Sequence, residues 1–77
     1  MVTVYAILDS LSQEIYVGIT NNLERRLKQH RNKQSSYTKK FGDFRLIYSE
    51  DAVDYKLARQ REKYLKHGSG KEFLKQL

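Results

Sequence analysis

Tyr5 and Tyr16 stand eleven residues apart, and each closes a short apolar run with strand character: Val2-Thr3-Val4-Tyr5-Ala6 and Ile15-Tyr16-Val17-Gly18. If the runs pair as a hairpin with Leu8 opposite Gln13, the loop is Asp9-Ser10-Leu11-Ser12 and Tyr5 lies directly across from Tyr16. Arg26, His30 and Glu62 follow downstream. Brought together, these five are the residue types that hydrolysis of a phosphodiester requires. An arginine presents a planar fork to phosphate oxygens and stabilises charge that develops on them. A hard divalent ion keeps most of its waters, so the lone carboxylate of Glu62 is enough to hold it. The attacking water must lose a proton, and a tyrosine takes it only if its pKa, about 10 when unperturbed, is lowered by a nearby cation. His30 shares that work or holds a tyrosine. Each residue also has a plainer reading. The tyrosines form a cross-strand aromatic pair contributing roughly 0.2–1 kcal/mol. Glu62 pairs with Lys66 one turn on, Arg26 lays its stem over Leu23, and His30 suits a helix C-terminus. Spacing alone leaves both readings open.

Three strands and three helices must position these groups. Val2 to Leu8 alternates, with Val2, Val4, Ala6 and Leu8 on one face and Thr3, Tyr5 and Ile7 on the other. Glu14 to Ile19 reads likewise, with Tyr16 and Gly18 sharing a face, so that the glycine leaves space beside the tyrosine. Asn21 can cap a first helix running to Arg31, with Glu24 reaching back as a capping box and Leu23 and Leu27 as its buried stripe. Arg26 and His30 lie along the edge of that stripe. Phe44 to Ser49 alternates as a third strand, with Phe44, Leu46 and Tyr48 facing one way. Asp51 caps a second helix ending at Gly68, with Leu57, Ala58, Tyr64 and Leu65 as its apolar positions and Glu62 at their margin. Ser69 caps a short last helix. Gly68-Ser69-Gly70-Lys71 is not a phosphate loop: the GxxxxGK[ST] spacing fails, no strand precedes it, and Glu72 stands where Ser or Thr is needed.

The 77 residues make one domain, residues 1–77, of a size that buries about 60% of its unfolded-chain surface. With no cysteine and no proline, a disulfide frame and a thiolate metal site are excluded, and no linker is marked. Met1 to Leu8 is too short for a secretory apolar region, and no apolar run reaches membrane-spanning length, so a soluble, cytoplasmic protein is expected. The net charge of +6 is unevenly placed. Between Arg25 and Arg45 eight bases face the single acid Asp43, giving +7, while the remainder carries −1. Such a patch is the electrostatic footprint of a protein that meets a phosphate backbone, and Arg25, Lys28, Arg31, Lys33, Lys39 and Lys40 are its candidate nucleic-acid contacts.

The string Thr3-Val4-Tyr5, then Tyr16-Val17-Gly18, then Asn22-Leu23-Glu24-Arg25-Arg26-Leu27-Lys28-Gln29-His30 resembles the GIY-YIG nuclease family. Leu46-Ile47-Tyr48, Arg61-Glu62-Lys63-Tyr64-Leu65-Lys66 and Gly68-Ser69-Gly70-Lys71-Glu72-Phe73-Leu74 resemble its small stand-alone branch, similar to the N-terminal nuclease domain of the excision-repair incision subunit. The resemblance implies an α+β fold, a three-stranded antiparallel sheet flanked by helices in the order β-β-α-β-α-α. It also implies one divalent metal, Mg²⁺ or Mn²⁺, on Glu62 and hydrolysis of DNA phosphodiesters, structure-directed or non-specific, in repair or recombination. By position Tyr5 and Tyr16 match the two motif tyrosines, rival general bases. Arg26, rather than the adjacent Arg25, matches the phosphate-contacting arginine, and His30 an assisting position. Thr3 replaces the motif's first glycine, and no asparagine follows Glu62, where many relatives have one. Affinity then rests on the basic patch or on a protein partner. The alternatives are a nucleic-acid-binding domain without cleavage, or a nuclease subunit active only with a partner.

Overall fold

The central strand decides which side chains meet. The structure, a computed structural model, describes residues 1–33 and 38–77, with Lys39 described by its backbone alone. Its elements are β1 (Val2–Asp9), β2 (Ile15–Thr20), α1 (Leu23–Arg31), a 3₁₀ turn (Thr38–Lys40), β3 (Phe44–Ala52), α2 (Tyr55–Lys66) and α3 (Gly68–Lys75). The sheet is antiparallel with order β2-β1-β3, so β1 is flanked on both edges. Its alternation therefore sends residues into two separate cores. On one face Val2, Val4 and Ala6 pack with Val17 and with Ala58, Leu65 and Leu74 of α2 and α3. On the other Tyr5 and Ile7 pack with Phe41, Tyr16, Phe44 and the α1 stripe of Leu23 and Leu27. The fold class and element order are those expected.

The hairpin register differs from expectation by two residues. Tyr5 pairs with Gly18, and Tyr16 with Ile7. The cause is Asp9, which extends β1 and organises the turn. Its backbone N–H donates to Glu14 O at 2.9 Å, and its carboxylate accepts from Ser12 N at 3.0 Å, Ser12 Oγ at 2.6 Å and Gly42 N at 3.2 Å. Gln13 closes the loop with φ 63°. Because side chains repeat every two residues, this shift keeps both tyrosines on one face and sets them diagonally.

β3 overturns the expectation that Phe44, Leu46 and Tyr48 share a face. Ile7 pairs with Leu46 and Ala6 with Tyr48, so Ile47 is an extra, bulged residue. The bulge turns Ile47 and Tyr48 onto the α2 and α3 side while Phe44 stays with Tyr5. The caps also move. Asn22, not Asn21, caps α1, accepting from Arg25 N at 3.0 Å. Asn21 instead accepts from Arg25 Nη2 at 2.9 Å. Asp54, not Asp51, caps α2, accepting from Leu57 N at 2.9 Å, because Asp51 remains in β3 and accepts from Thr3 Oγ1 at 2.9 Å. α3 begins at Gly68 with no side-chain cap, so Ser69 lies inside it. Only Ala58 and Leu65 of the expected α2 stripe are buried; Leu57 and Tyr64 are exposed. No helix among the described residues is long and apolar enough to cross a membrane.

Candidate active site

α1 lies against the Tyr5 face of the sheet, which puts one turn of the helix over the two tyrosines. Tyr5 Oη lies 2.8 Å from His30 Nε2, and Arg26 Nε donates to the same oxygen at 3.3 Å. The Tyr5 and Tyr16 rings are 6.2 Å apart and tilted at 47°, whereas the Tyr16 and His30 rings, 5.3 Å apart, meet edge to face. Tyr16 is also a hydrogen-bond partner of both Tyr5 and Arg26. The spacing of four between Arg26 and His30 accounts for this convergence, since i and i+4 share a helix face. Gly18, opposite Tyr5, makes room for it: a Cβ there would lie 2.7 Å from Tyr5 Oη and 2.9 Å from Tyr16 Cε2.

Burial divides the two tyrosines. Tyr5 is fully enclosed, and that loss of water, only partly offset by the Arg26 hydrogen bond, pushes its pKa up to about 12. It is a phenol at any physiological pH. Tyr16 is half-buried. His30, expected at the margin of the α1 stripe, is 1% exposed; burial first, and then the Arg26 charge, lower its pKa to about 4. Its other nitrogen, Nδ1, lies 2.5 Å from Thr38 Oγ1. Arg26 is braced by Gln29, to whose Oε1 it donates from Nη1 at 3.0 Å. Sequence reasoning missed Thr38, Gln29 and the turn-forming Asp9. The i+3 spacings Arg26–Gln29 and Asp9–Ser12 were readable, whereas the Thr38–His30 and Asp9–Gly42 contacts are fixed only by the fold.

Glu62 stands apart from this cluster. Its carboxylate pairs with Lys66 Nζ at 3.2 Å. Lys66, His67 and Lys71 line a cleft of about 340 Å³ that Tyr16 also lines. Tyr16 thus belongs both to the buried cluster and to the cleft beside α2. No group of three or more His, Cys, Asp or Glu side chains gathers among the described residues. A preformed cage of protein ligands is therefore not what this donor set builds. One half-buried carboxylate does fit a magnesium-like ion that retains its waters. The competing Lys66 contact is a partly exposed i,i+4 pair, contributing only about 0.3–0.5 kcal/mol.

The basic patch is thinner than the charge count implies. Arg25, Lys28 and Arg31 are exposed along α1, with Lys28 4.0 Å from Glu24 and the Arg31 guanidinium 5.8 Å over the Phe44 ring. Lys33 donates to the Phe41 carbonyl, and Lys40 pairs with Glu14 at 3.1 Å. The Lys39 side chain lies outside the described residues.

A sheet carrying paired tyrosines, with an arginine and a histidine from the following helix, defines a class, and residues 1–75 match the family model of the GIY-YIG catalytic domain. The chain belongs to the GIY-YIG family, a nuclease family that acts on DNA and generally uses a divalent metal. It is 44% identical over 62 residues to the UPF0213 protein in the VLF1-GP41 intergenic region of Autographa californica nuclear polyhedrosis virus, covering 78% of this chain and 60% of the viral protein. To the UPF0213 protein CPE1444 of Clostridium perfringens it is 39% identical over 61 residues, covering 78% and 66%. The chain thus spans less than two thirds of the length of these two curated relatives. The solution NMR structure of the UPF0213 protein BH0048 from Bacillus halodurans is similar at a TM-score of 0.53 and 29% identity, over 94% of this chain and 78% of that one.

Proposed function

We propose that this chain is a single metal-dependent nuclease domain that cuts a DNA strand, with Arg26, Tyr16 and Glu62 acting on one phosphodiester. The observation that carries the reading is Arg26 bridging to both tyrosines from the helix behind the sheet. Arg26 stabilises charge on the phosphate, and its bonds to Tyr5 and Gln29 hold the guanidinium still before substrate arrives. Tyr16 is the general base. It is half-buried and lines the cleft, whereas Tyr5 is enclosed and holds its own proton to about pH 12. Tyr5 and His30 position Arg26 and Tyr16. Glu62 would hold Mg²⁺ or Mn²⁺, which when bound neutralises phosphate charge and acidifies water.

Arg25, Lys28 and Arg31 supply non-specific phosphate contacts along α1, so the domain reads strand geometry rather than sequence. Structure-directed cutting in repair or recombination, with a protein partner supplying specificity, is the setting that suits it. The Glu62–Lys66 pair favours one other reading, a DNA-binding domain that does not cleave.

Nicking of supercoiled plasmid in Mg²⁺ separates them. The nuclease nicks, stops in EDTA, and falls roughly 10²–10⁴-fold in Tyr16→Phe, with the ascending limb of its pH profile lost. Salt-sensitive binding that survives EDTA, with no nicking in any divalent metal, identifies the binding domain.

A further inference from the structure

Thr38 opens the 3₁₀ turn and is buried, 1% exposed. The turn is anchored from the other end. Phe41 N donates to Thr38 O at 2.9 Å, and the Phe41 ring, 2% exposed, packs against Tyr5 and Ile7. Thr38 Oγ1, the His30 imidazole and Tyr5 Oη therefore form one buried row, at 2.5 Å to Nδ1 and 2.8 Å from Nε2. Arg26 Nε ends the row on Tyr5 at 3.3 Å.

A neutral imidazole has one N–H and one acceptor nitrogen, so its tautomer sets the direction of every proton along this row. The two directions are not equivalent at Tyr5. Its oxygen already accepts from Arg26, and its single hydrogen is directed to the imidazole nitrogen 2.8 Å away, a stronger acceptor than a second phenol. Nε2 is then the acceptor, Nδ1 carries the proton, and Thr38 Oγ1 receives it. In the opposite tautomer Nε2–H points at Tyr5, whose hydrogen must turn away from His30. The Tyr5 oxygen would then be shared between two donors, His30 and Arg26, which loosens its hold on the guanidinium.

We propose that Thr38 is a positioning residue: by accepting from His30 Nδ1–H it fixes one tautomer, locks Tyr5 as donor to His30, and keeps the Tyr5 oxygen for Arg26. Its effect on cleavage rests on the nuclease reading above; the tautomer does not.

Long-range ¹H–¹⁵N NMR on ¹⁵N-labelled protein at neutral pH tests it, in a His67→Gln background that removes the other imidazole. The expected wild-type pattern is a protonated, pyrrole-type Nδ1 and an unprotonated, pyridine-type Nε2 at His30. Thr38→Val, nearly isosteric, should move both ¹⁵N shifts toward the average of two exchanging tautomers, and Thr38→Ser should restore the wild-type pattern. Plasmid nicking should fall about 10–100-fold in kcat in Thr38→Val and return in Thr38→Ser, the loss typical of removing the partner that orients a functional imidazole. A protonated Nε2 in the wild type overturns the proposal, whether or not Thr38→Val folds. So does a Thr38→Val spectrum that keeps the wild-type pattern. If the tautomer behaves as stated and no form nicks DNA, the positioning role stands and the nuclease reading alone fails.

Discussion

Gly18→Ala adds one methyl group at the tightest point of the Tyr5 face. The new Cβ would sit 2.7 Å from Tyr5 Oη, 2.9 Å from Tyr5 Cζ and 2.9 Å from Tyr16 Cε2. Ordinary carbon contacts begin near roughly 3.5 Å, so the rings must retreat by several tenths of an ångström or more. Tyr5 has nowhere to go: it is 0% exposed and held by His30 and Arg26. Overpacking of this kind costs about 1–3 kcal/mol. The backbone offsets part of that, since alanine in a strand interior is favoured over glycine by roughly 0.5–1 kcal/mol. The net is a loss of about 1–2 kcal/mol, which for a domain this small lowers Tm by roughly 4–16 °C. Activity should fall further than stability. At 25 °C the variant remains mostly folded, and displacement of reacting groups by about 1 Å can cost about 100-fold in rate. Urea or thermal unfolding gives the first quantity, and plasmid nicking per folded molecule the second. A Gly18→Ala protein with wild-type Tm and wild-type nicking would refute the close packing around Tyr5 and its role in the site.

Stability should have a plateau bounded by the two groups of the buried pair. His30 takes a proton near pH 4 in the fold and near pH 6.5 when unfolded. The unfolded chain therefore binds more protons in that window, and stability falls as pH drops through it. Tyr5 is the mirror case, at about 12 folded against 10.0 unfolded, so stability falls as pH rises from 10 toward 12. Asp9, held below its usual range by the Ser12 hydrogen bonds, withdraws its support only in stronger acid. Urea midpoints measured across pH should show both limbs, and His30→Gln should flatten the one below pH 6.5. Gly70→Ala should be more damaging than Gly18→Ala, with a loss of about 3 kcal/mol. Its Cβ would meet the Tyr64 carbonyl oxygen at 2.1 Å, and backbone at a helix junction cannot turn aside as a side chain can. An unfolding curve matching wild type would contradict the close α2–α3 junction.

Much of the fold was legible because its cause is periodic. The alternation in β1 sorts Val4 and Ala6 from Tyr5 and Ile7, and the same residues divide the two cores. The tyrosines kept a common face because the hairpin slipped by two residues, not one. The slip itself was hidden, since it follows from Asp9 binding not only Ser12 but the distant Gly42. The Ile47 bulge was equally hidden. In Leu46-Ile47-Tyr48 every residue suits a strand, so nothing marks where one is inserted. Adjacent candidates misled the capping assignments, Asn21 beside Asn22 and Asp51 near Asp54. For the site, the Arg26–His30 spacing was readable from helix geometry. Thr38 was not, because its partner lies eight residues away, a separation that no periodicity marks. Lys33 and Lys40 read as free surface charge, yet their contacts, the Phe41 carbonyl and Glu14, exist only after folding.

Glu62 is the candidate site group whose chemistry is least shared with packing, since its ion-pair partner among the described residues is the partly exposed Lys66. Removing that carboxylate should leave the fold intact, because such a pair contributes about 0.3–0.5 kcal/mol. The decisive measurement is the rate of Mg²⁺-dependent plasmid nicking by wild type and Glu62→Ala, purified side by side and shown by thermal unfolding to be equally folded. A metal-dependent nuclease site at Tyr16, Arg26 and Glu62 predicts nicking by the wild type and its loss in Glu62→Ala. Equal nicking by the two proteins, or none by either, would contradict it.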